Sequence, residues 1–423
     1  MTDFDDQRTL AEKLDAADPL AGFRGQFVID DPSLIYMDGN SLGRLPTRTK
    51  NVLANVVDRQ WGNRLIQSWQ DAWFDAPQRV GAKIAALVGA SPDEVIVSDS
   101  TSINLFKTAM AALAMKPERN KIVTDEFNFP SDIYILQGCC DLLKDGHQIE
   151  LIRSKDSIEM DTESISLYLD DNTALLTLSQ VVFKSGYLYD VRRITEMAHA
   201  KGALVLWDLS HSVGSVPIHL NDWGVDFAIG CTYKYLNGGP GAPAFLYVRR
   251  DLLDRVQSPI WGWFGDANPF SFSLDYTPSD QINRFLVGTP GVLSLLAMEP
   301  GVDLILEAGI DRLREKSVQQ TSYLIDLFDT FLAPLGFTLG TPKQPEHRGS
   351  HVSIRHPEGY RIARVMIEEQ KVIPDFREPD NIRLGIAPMY TRFIDLWVAV
   401  DRIRRVMQDR RFLQYSSERQ MVT

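Results

Sequence analysis

Cysteine is scarce: three residues in 423, Cys139, Cys140 and Cys231. Two are adjacent and no Cys-x-x-Cys spacing exists, so neither a disulfide framework nor a zinc site is expected. Reduced thiols of this kind fit a cytoplasmic protein. Long apolar runs are missing too. No stretch reaches the roughly 18 residues a membrane-spanning helix needs, and the acidic N-terminal stretch lacks the apolar centre of a signal peptide. Basic charge is in deficit, with 44 Lys and Arg against 56 Asp and Glu and a net charge of −12. Nucleic acids and anionic membranes both require a basic surface, so neither is an expected partner. There is no Gly-x4-Gly-Lys-Ser/Thr loop, no Gly-x-Gly-x-x-Gly turn opening a helix and no His-Glu-x-x-His. The common nucleotide and zinc-protease routes are thereby removed.

The chain instead offers alternation. Apolar runs at 95–97, 121–124, 149–152, 173–178, 203–207, 227–231 and 244–248 read as strands. Helical patterns fall between several of them, at 131–140 and 191–201 and from Ser100 onward. Strands alternating with helices predict an α/β domain with a mainly parallel sheet flanked by helices. The run 203–207 is apolar throughout, as in a sheet covered on both faces. The last third changes character. Residues 348–355 alternate like an exposed strand, 360–370 and 393–406 read as helices, and 372–376 and 381–385 as strands. This is a smaller α+β lobe. The expected division is an N-terminal segment joining the lobes (1–60), a large domain (61–300) and a small C-terminal domain (301–423). The aromatic stretch 61–73 reads either as a packed helix face or as a pocket lining.

Ligands of parallel sheets bind beyond the carboxyl ends of the strands. Ser179, Asp208, His211 and Lys234 all fall at such ends. Lys234 follows the apolar run 227–231 and precedes the turn Gly238-Gly239-Pro240-Gly241. A lysine just past a buried strand is positioned to lose solvation, and a neutral amine is a nucleophile toward aldehydes. An aspartate at one strand end and a lysine at a later one is the pairing pyridoxal phosphate needs: the lysine takes the aldehyde and the aspartate the pyridinium nitrogen. The hydroxyls of Ser100, Thr101 and Ser102 stand at a strand-to-helix junction. They read as helix caps, and the same junction can seat a phosphate.

This ordered set resembles the fold-type I pyridoxal-phosphate enzymes, the aspartate-aminotransferase-like fold. Five segments carry the resemblance further: 36–43, 129–132, 207–214, 232–241 and 262–265. Together they are similar to the kynureninase family over nearly the whole chain. The resemblance implies hydrolytic Cβ–Cγ cleavage of L-kynurenine, or its 3-hydroxy form, to anthranilate or 3-hydroxyanthranilate and L-alanine. It places the reaction in tryptophan catabolism and NAD biosynthesis. Lys234 matches the cofactor-bound lysine and proton carrier. Thr101, Ser102, Phe129, Pro130, Ser131, Asp132, Ser179, Asp208, His211 and Tyr233 match cofactor contacts, with Tyr233 also a candidate proton donor. Trp263 and Thr289 match contacts supplied by the second subunit of a homodimer. Arg383 matches the clamp for the substrate carboxylate, and Asn63 falls near a position that meets the substrate ring. Arg383 reads equally as a member of an ion pair, and His211 as a structural hydrogen-bonding group.

Three rivals stand beside this reading. A cysteine desulfurase or selenocysteine lyase needs a nucleophilic cysteine on a late loop, and no cysteine follows Cys231. An aminotransferase would use the same lysine and aspartate. A non-catalytic binding protein on the same scaffold would not need to keep Lys234, Asp208 and Arg383 together.

Overall fold

A computed structural model describes residues 4–418. The outermost residues of the expected N-terminal segment and C-terminal domain therefore lie outside the described residues. Seven strands form the central sheet in the spatial order Val95–Val97, Phe245–Val248, Phe227–Gly230, Leu204–Asp208, Thr173–Ser179, Lys121–Asp125, Gln148–Ile152. Neighbouring strands run parallel from Phe227–Gly230 through to Gln148–Ile152, while Phe245–Val248 is antiparallel to both of its neighbours.

The apolar runs follow from two covered faces. Successive side chains of a strand point to opposite sides. Val205 and Trp207 accordingly join one core, under helices Ala76–Val88 and Val292–Ala308. Leu204 and Leu206 join the other, under helices Thr101–Ala114 and Pro130–Leu143. Each fully buried side chain of this size contributes about 1.5–3 kcal/mol, so the sheet is held from both sides.

The C-terminal lobe carries a four-stranded antiparallel sheet ordered Asp375–Arg377, Asn381–Gly385, His351–Arg355, Thr338–Leu339. Two expectations are corrected here. The strand expected to be exposed is buried: Arg348, His351 and Ser353 are each at most 1% exposed. Val352 and Ile354 enter the lobe's core, and the opposite face turns toward residues 183–186 of the large domain, where the Ser353 hydroxyl donates to the Lys184 carbonyl. Its polar residues thus meet the other lobe rather than water. The single strand expected over 372–376 is two. Val372–Ile373 pairs in parallel with Ile35–Tyr36, and Asp375–Arg377 pairs with Asn381–Gly385.

Residues 37–43 strap the lobes together. Gly385 N–H donates to the Met37 carbonyl, and Gly43 N–H donates to the Tyr233 carbonyl at 2.8 Å. A side chain at Gly43 would collide with Asn237 and the Lys234 carbonyl, and one at Gly385 with Asn40. Both glycines are therefore fixed by close approach. Among the described residues no helix is long and apolar enough to cross a membrane.

Candidate active site

Strand register assembles the floor of the site. Ser179 and Asp208 end adjacent parallel strands and are direct partners, and Asp208 pairs in turn with Ile229 of the next strand. Lys234 lies four residues past the end of that strand. A cavity of about 190 Å³ opens here, walled by Ser179, Asp208, His211, Tyr233 and Lys234 on the sheet side. Thr101, Ser102, Phe129, Ser131 and Asp132 close its second side. The third side comes from the strap and the small lobe: Asn40, Ser41, Arg377 and Arg383.

Two helices begin at this cavity. Thr101–Ala114 and Pro130–Leu143 bring their N-termini together, with the Ser102 and Ser131 hydroxyls 3.1 Å apart. Converging N–H groups and helix dipoles make a seat for a dianionic phosphate. Ser100 remains a cap, accepting from Ile103 N–H at 3.4 Å, so of the three hydroxyl residues Thr101 and Ser102 line the cavity. Pro130 starts the second helix at a position that needs no N–H, and it does not wall the cavity. Phe129 is 44% exposed, its ring packed edge-on against Phe183 at 5.3 Å.

Charge in the floor is concentrated and its carboxyls are buried. Asp208 is 6% exposed and accepts Ser210 N–H at 2.8 Å. Burial pushes its carboxyl pKa up, with the nearby Lys234 charge opposing. Asp132 is pushed up further, by burial and then by Asp208. Two buried carboxyls beside one lysine suit a protonated ring nitrogen as counter-charge, so the residues present fit pyridoxal phosphate. Lys234 Nζ lies 2.9 Å from His211 Nε2. Burial pushes His211 well below the usual imidazole value, assisted by Lys234. Tyr233 is pushed up, first by Cys231 and then by burial, which keeps its phenol protonated.

Arg383 is almost wholly buried. It donates to the Phe183 carbonyl at 2.6 Å and to Ser41 Oγ at 2.9 Å, and it pairs with Asp375, its direct cross-strand partner. The arginine is thus in an ion pair, a buried one rather than one at the surface, and it also walls the cavity. Burial lowers its pKa to about 10, so it stays charged at neutral pH. Besides Pro130, three expected residues do not reach this cavity within one chain. Asn63 is exposed in a π-helical stretch, Val56–Arg64. Trp263, 38% exposed, lines a separate surface groove. Thr289 lines a larger cavity of about 650 Å³ that shares Thr101, Ser102 and Tyr233 with the first.

Several wall residues were not assigned to the site from sequence: Asn40, Ser41, Phe183, Ser210 and Arg377. Nor was Asn128, which does not line the cavity but accepts from the Ser179 hydroxyl through its Oδ1. Asn40 and Ser41 sat in a quoted motif, and only the strap's clamping between lobes reveals their place. Cys231 is buried at 1% exposure, and burial pushes its thiol up. It is no mobile sulfur nucleophile.

The sequence model of the kynureninase C-terminal domain matches residues 313–403. A kynureninase from Pseudomonas fluorescens is 42% identical over 406 residues, covering 95% of each chain. One from Geobacillus thermodenitrificans is 39% identical over 419 residues, covering 97% of each. Among solved structures, the apo cysteine desulfurase of Thermococcus onnurineus NA1 superposes with TM-score 0.77 at 18% identity, covering 94% of this chain and 98% of that one. The cysteine desulfurase CsdA of Escherichia coli gives 0.77 at 16% identity, covering 92% and 98%. A C-DES mutant with glycine covalently linked to its PLP cofactor gives 0.74 at 17%, covering 93% and 99%. At these identities the structural likeness establishes the fold, that of fold-type I pyridoxal-phosphate enzymes.

Proposed function

This chain belongs to the kynureninase family, and from that premise we infer how its own residues divide the work. The activity is hydrolysis of a carbon–carbon bond in a kynurenine-type amino acid, with pyridoxal phosphate as cofactor. When bound, the cofactor supplies a protonated pyridine ring that stores the electron pair released at the substrate. The observation that carries the assignment of roles is the in-register pair Ser179–Asp208 lining one cavity with the Lys234 amine.

In this reading Asp208 holds the ring nitrogen protonated, its buried carboxylate being short of a counter-charge. Thr101, Ser102 and Ser131 hold the phosphate at the paired helix N-termini. Phe129 covers one face of the ring. Lys234 would hold the cofactor through its amine and, once freed by the substrate amine, would remove the α-proton and return it. His211, 2.9 Å away and neutral, accepts a hydrogen bond from the Lys234 ammonium. Water adds to the γ-carbonyl and its oxygen leaves in the carboxyl of the anthranilate as the Cβ–Cγ bond breaks, and Tyr233 donates the proton that the released carbon takes up, its phenol kept intact by its surroundings. Arg383 attracts the substrate carboxylate, with Asp375 and Ser41 fixing the orientation of its fork. Asp132 works as a second buried carboxyl beside the ring.

We also place Trp263 and Thr289 in a second subunit's site. Support comes from the apolar surface around Trp263: Trp261 and Phe270 are each 62% exposed, Phe272 73%. Contiguous exposed apolar groups of this size mark a contact surface. Asn63 is assigned to the substrate ring on family position alone. The acidic, cysteine-poor composition supports a cytoplasmic setting, and the substrate places the reaction in tryptophan catabolism and pyridine nucleotide supply.

The test is direct. Purified protein loaded with pyridoxal phosphate is incubated separately with L-kynurenine and its 3-hydroxy form. Equal amounts of alanine and the matching anthranilate are expected from at least one. Formation of pyridoxamine phosphate together with the 2-oxo acid of the intact substrate, and no anthranilate, would replace this reading with an aminotransferase.

A further inference from the structure

Behind the floor of the cavity, buried imidazole nitrogens collect without partners. His211 Nε2 faces Lys234, but its Nδ1 is buried and makes no hydrogen bond among the described residues. His351, fully buried, leaves both ring nitrogens in the same condition. The two rings lie 5.9 Å apart between centroids, tilted by 57°. Nothing in the reaction as assigned above uses His351. Buried polar atoms are nearly always satisfied, so three unpaired ring nitrogens on two neighbouring rings call for an explanation.

The small lobe aims His351 there deliberately. It pairs across the sheet with Gly385, and Ser353 on the same face pairs with Arg383. Cross-strand partners share a face, so His351 and Arg383 reach the large domain from one surface. Arg383 Nη1 takes the Phe183 carbonyl at 2.6 Å. The Phe183 and Lys184 carbonyls also favour the protonated His351 ring, although neither meets a ring nitrogen at hydrogen-bonding geometry.

Proton bookkeeping then fixes one tautomer. Once Lys234 has taken the α-proton it is an ammonium that can only donate, so His211 Nε2 then accepts across the 2.9 Å contact and the His211 proton resides on Nδ1. That N–H needs an acceptor, and an imidazole nitrogen of His351 is the group set beside it. We propose that His351 is a positioning residue for the reaction: it accepts from His211 Nδ1–H, directly or through one bridging water, and so keeps the His211 Nε2 lone pair aimed at Lys234. The charges facing this pair agree with a neutral relay. Lys234, Arg383, Arg377 and His351 all act against a charge on His211, and Arg383 and Lys234 act against one on His351. Burial, the leading cause for both, holds His351 near a pKa of about 3. The inference rests on the reading of Lys234 as proton carrier.

Two variants separate a hydrogen-bonding role from packing. His351→Gln keeps an acceptor at the site, and His351→Leu removes it. Both are prepared as holoenzyme, and kcat, KM and the pH dependence of the cofactor's visible absorbance are measured. For His351→Leu, KM should stay within about twofold while kcat falls roughly 10- to 100-fold, the cost of a misplaced reacting group. Its absorbance midpoint should move by about one pH unit. His351→Gln should restore both kcat and midpoint. Equal defects in the two variants, or an unchanged midpoint in His351→Leu, would overturn the proposal. Should the leucine variant fail to fold, imidazole 15N shifts of the wild-type apoprotein decide: His211 protonated at Nδ1 supports the relay, and at Nε2 overturns it. That measurement needs no turnover, so it stands apart from Lys234. Loss of the Lys234 role would show instead as full activity of Lys234→Ala.

Discussion

The floor of the site and its rim are built by different means. Floor residues Ser179, Asp208 and Lys234 follow sheet register, and each is fixed by neighbours inside one chain. Rim residues Asn63, Trp263 and Thr289 sit on π-helical, 3-10 and irregular segments respectively and do not enter the cavity within one chain. The contrast teaches that one chain supplies the charges of the reaction, while the substrate's surroundings are left to loops and, on our proposal, to a second copy. Floor changes should therefore act on kcat or on carboxylate affinity within a subunit. Rim changes should be rescued between subunits.

The largest expected effect is in the floor. Asp208→Asn removes the negative charge that keeps the ring nitrogen protonated, and kcat should fall roughly 100- to 1,000-fold with cofactor still bound. Retained kcat would move the electrostatic role elsewhere, Asp132 first. Next comes Arg383→Lys, which keeps the charge and loses the fork. KM for kynurenine should rise roughly 10- to 100-fold, the equivalent of one charge-assisted hydrogen bond, with kcat changed less. A pure kcat defect would make Arg383 a structural partner of Asp375 only.

The same contrast governs how much was legible beforehand. Strand ends could be read because apolar runs bounded by polar tips mark where a parallel sheet stops, and Asp208 and Lys234 stand at those tips. The burial of 348–355 could not, because its alternating polar residues meet another lobe, and lobe contacts leave no local pattern. His351 looked like the polar side of an exposed strand for the same reason. Asn40, Ser41 and Arg377 reach the cavity only through the strap and the cross-strand pair Asp375–Arg383, contacts made across more than 300 residues in the case of Ser41 with Arg383. The Trp61–Trp73 stretch carried a helical pattern, yet it folds into π and 3-10 turns with Trp61 57% exposed.

Rim variants give an intermediate effect with a sharper signature. Thr289→Ala and Lys234→Ala, each weak or inactive alone, should regain about a quarter of wild-type activity after dissociation and random re-pairing of equal amounts in a symmetric dimer. Absence of rescue would return Thr289 to its own subunit. The smallest effect lies below the floor, at Asp125, where burial raises the carboxyl to about 6 and the Tyr189 hydroxyl holds it down. A raised carboxyl pKa means the folded state binds that proton more tightly. Its stabilising share is present below the ordinary carboxylate value and lost as pH rises through 6. Tyr189→Phe pushes Asp125 higher, so thermal melts from pH 4 to 8 should show a steeper decline, by about 1 kcal/mol at the upper end. Parallel pH curves would detach Tyr189 from this titration.

The central claim is that Lys234 carries the cofactor at the end of the Phe227–Gly230 strand. Reducing the holoenzyme with borohydride and sequencing the pyridoxyl-labelled peptide tests it in one step. The account predicts the label on Lys234, in the peptide spanning Tyr233 and Tyr235. A label on any other lysine, or stoichiometric cofactor with no lysine labelled, would contradict it.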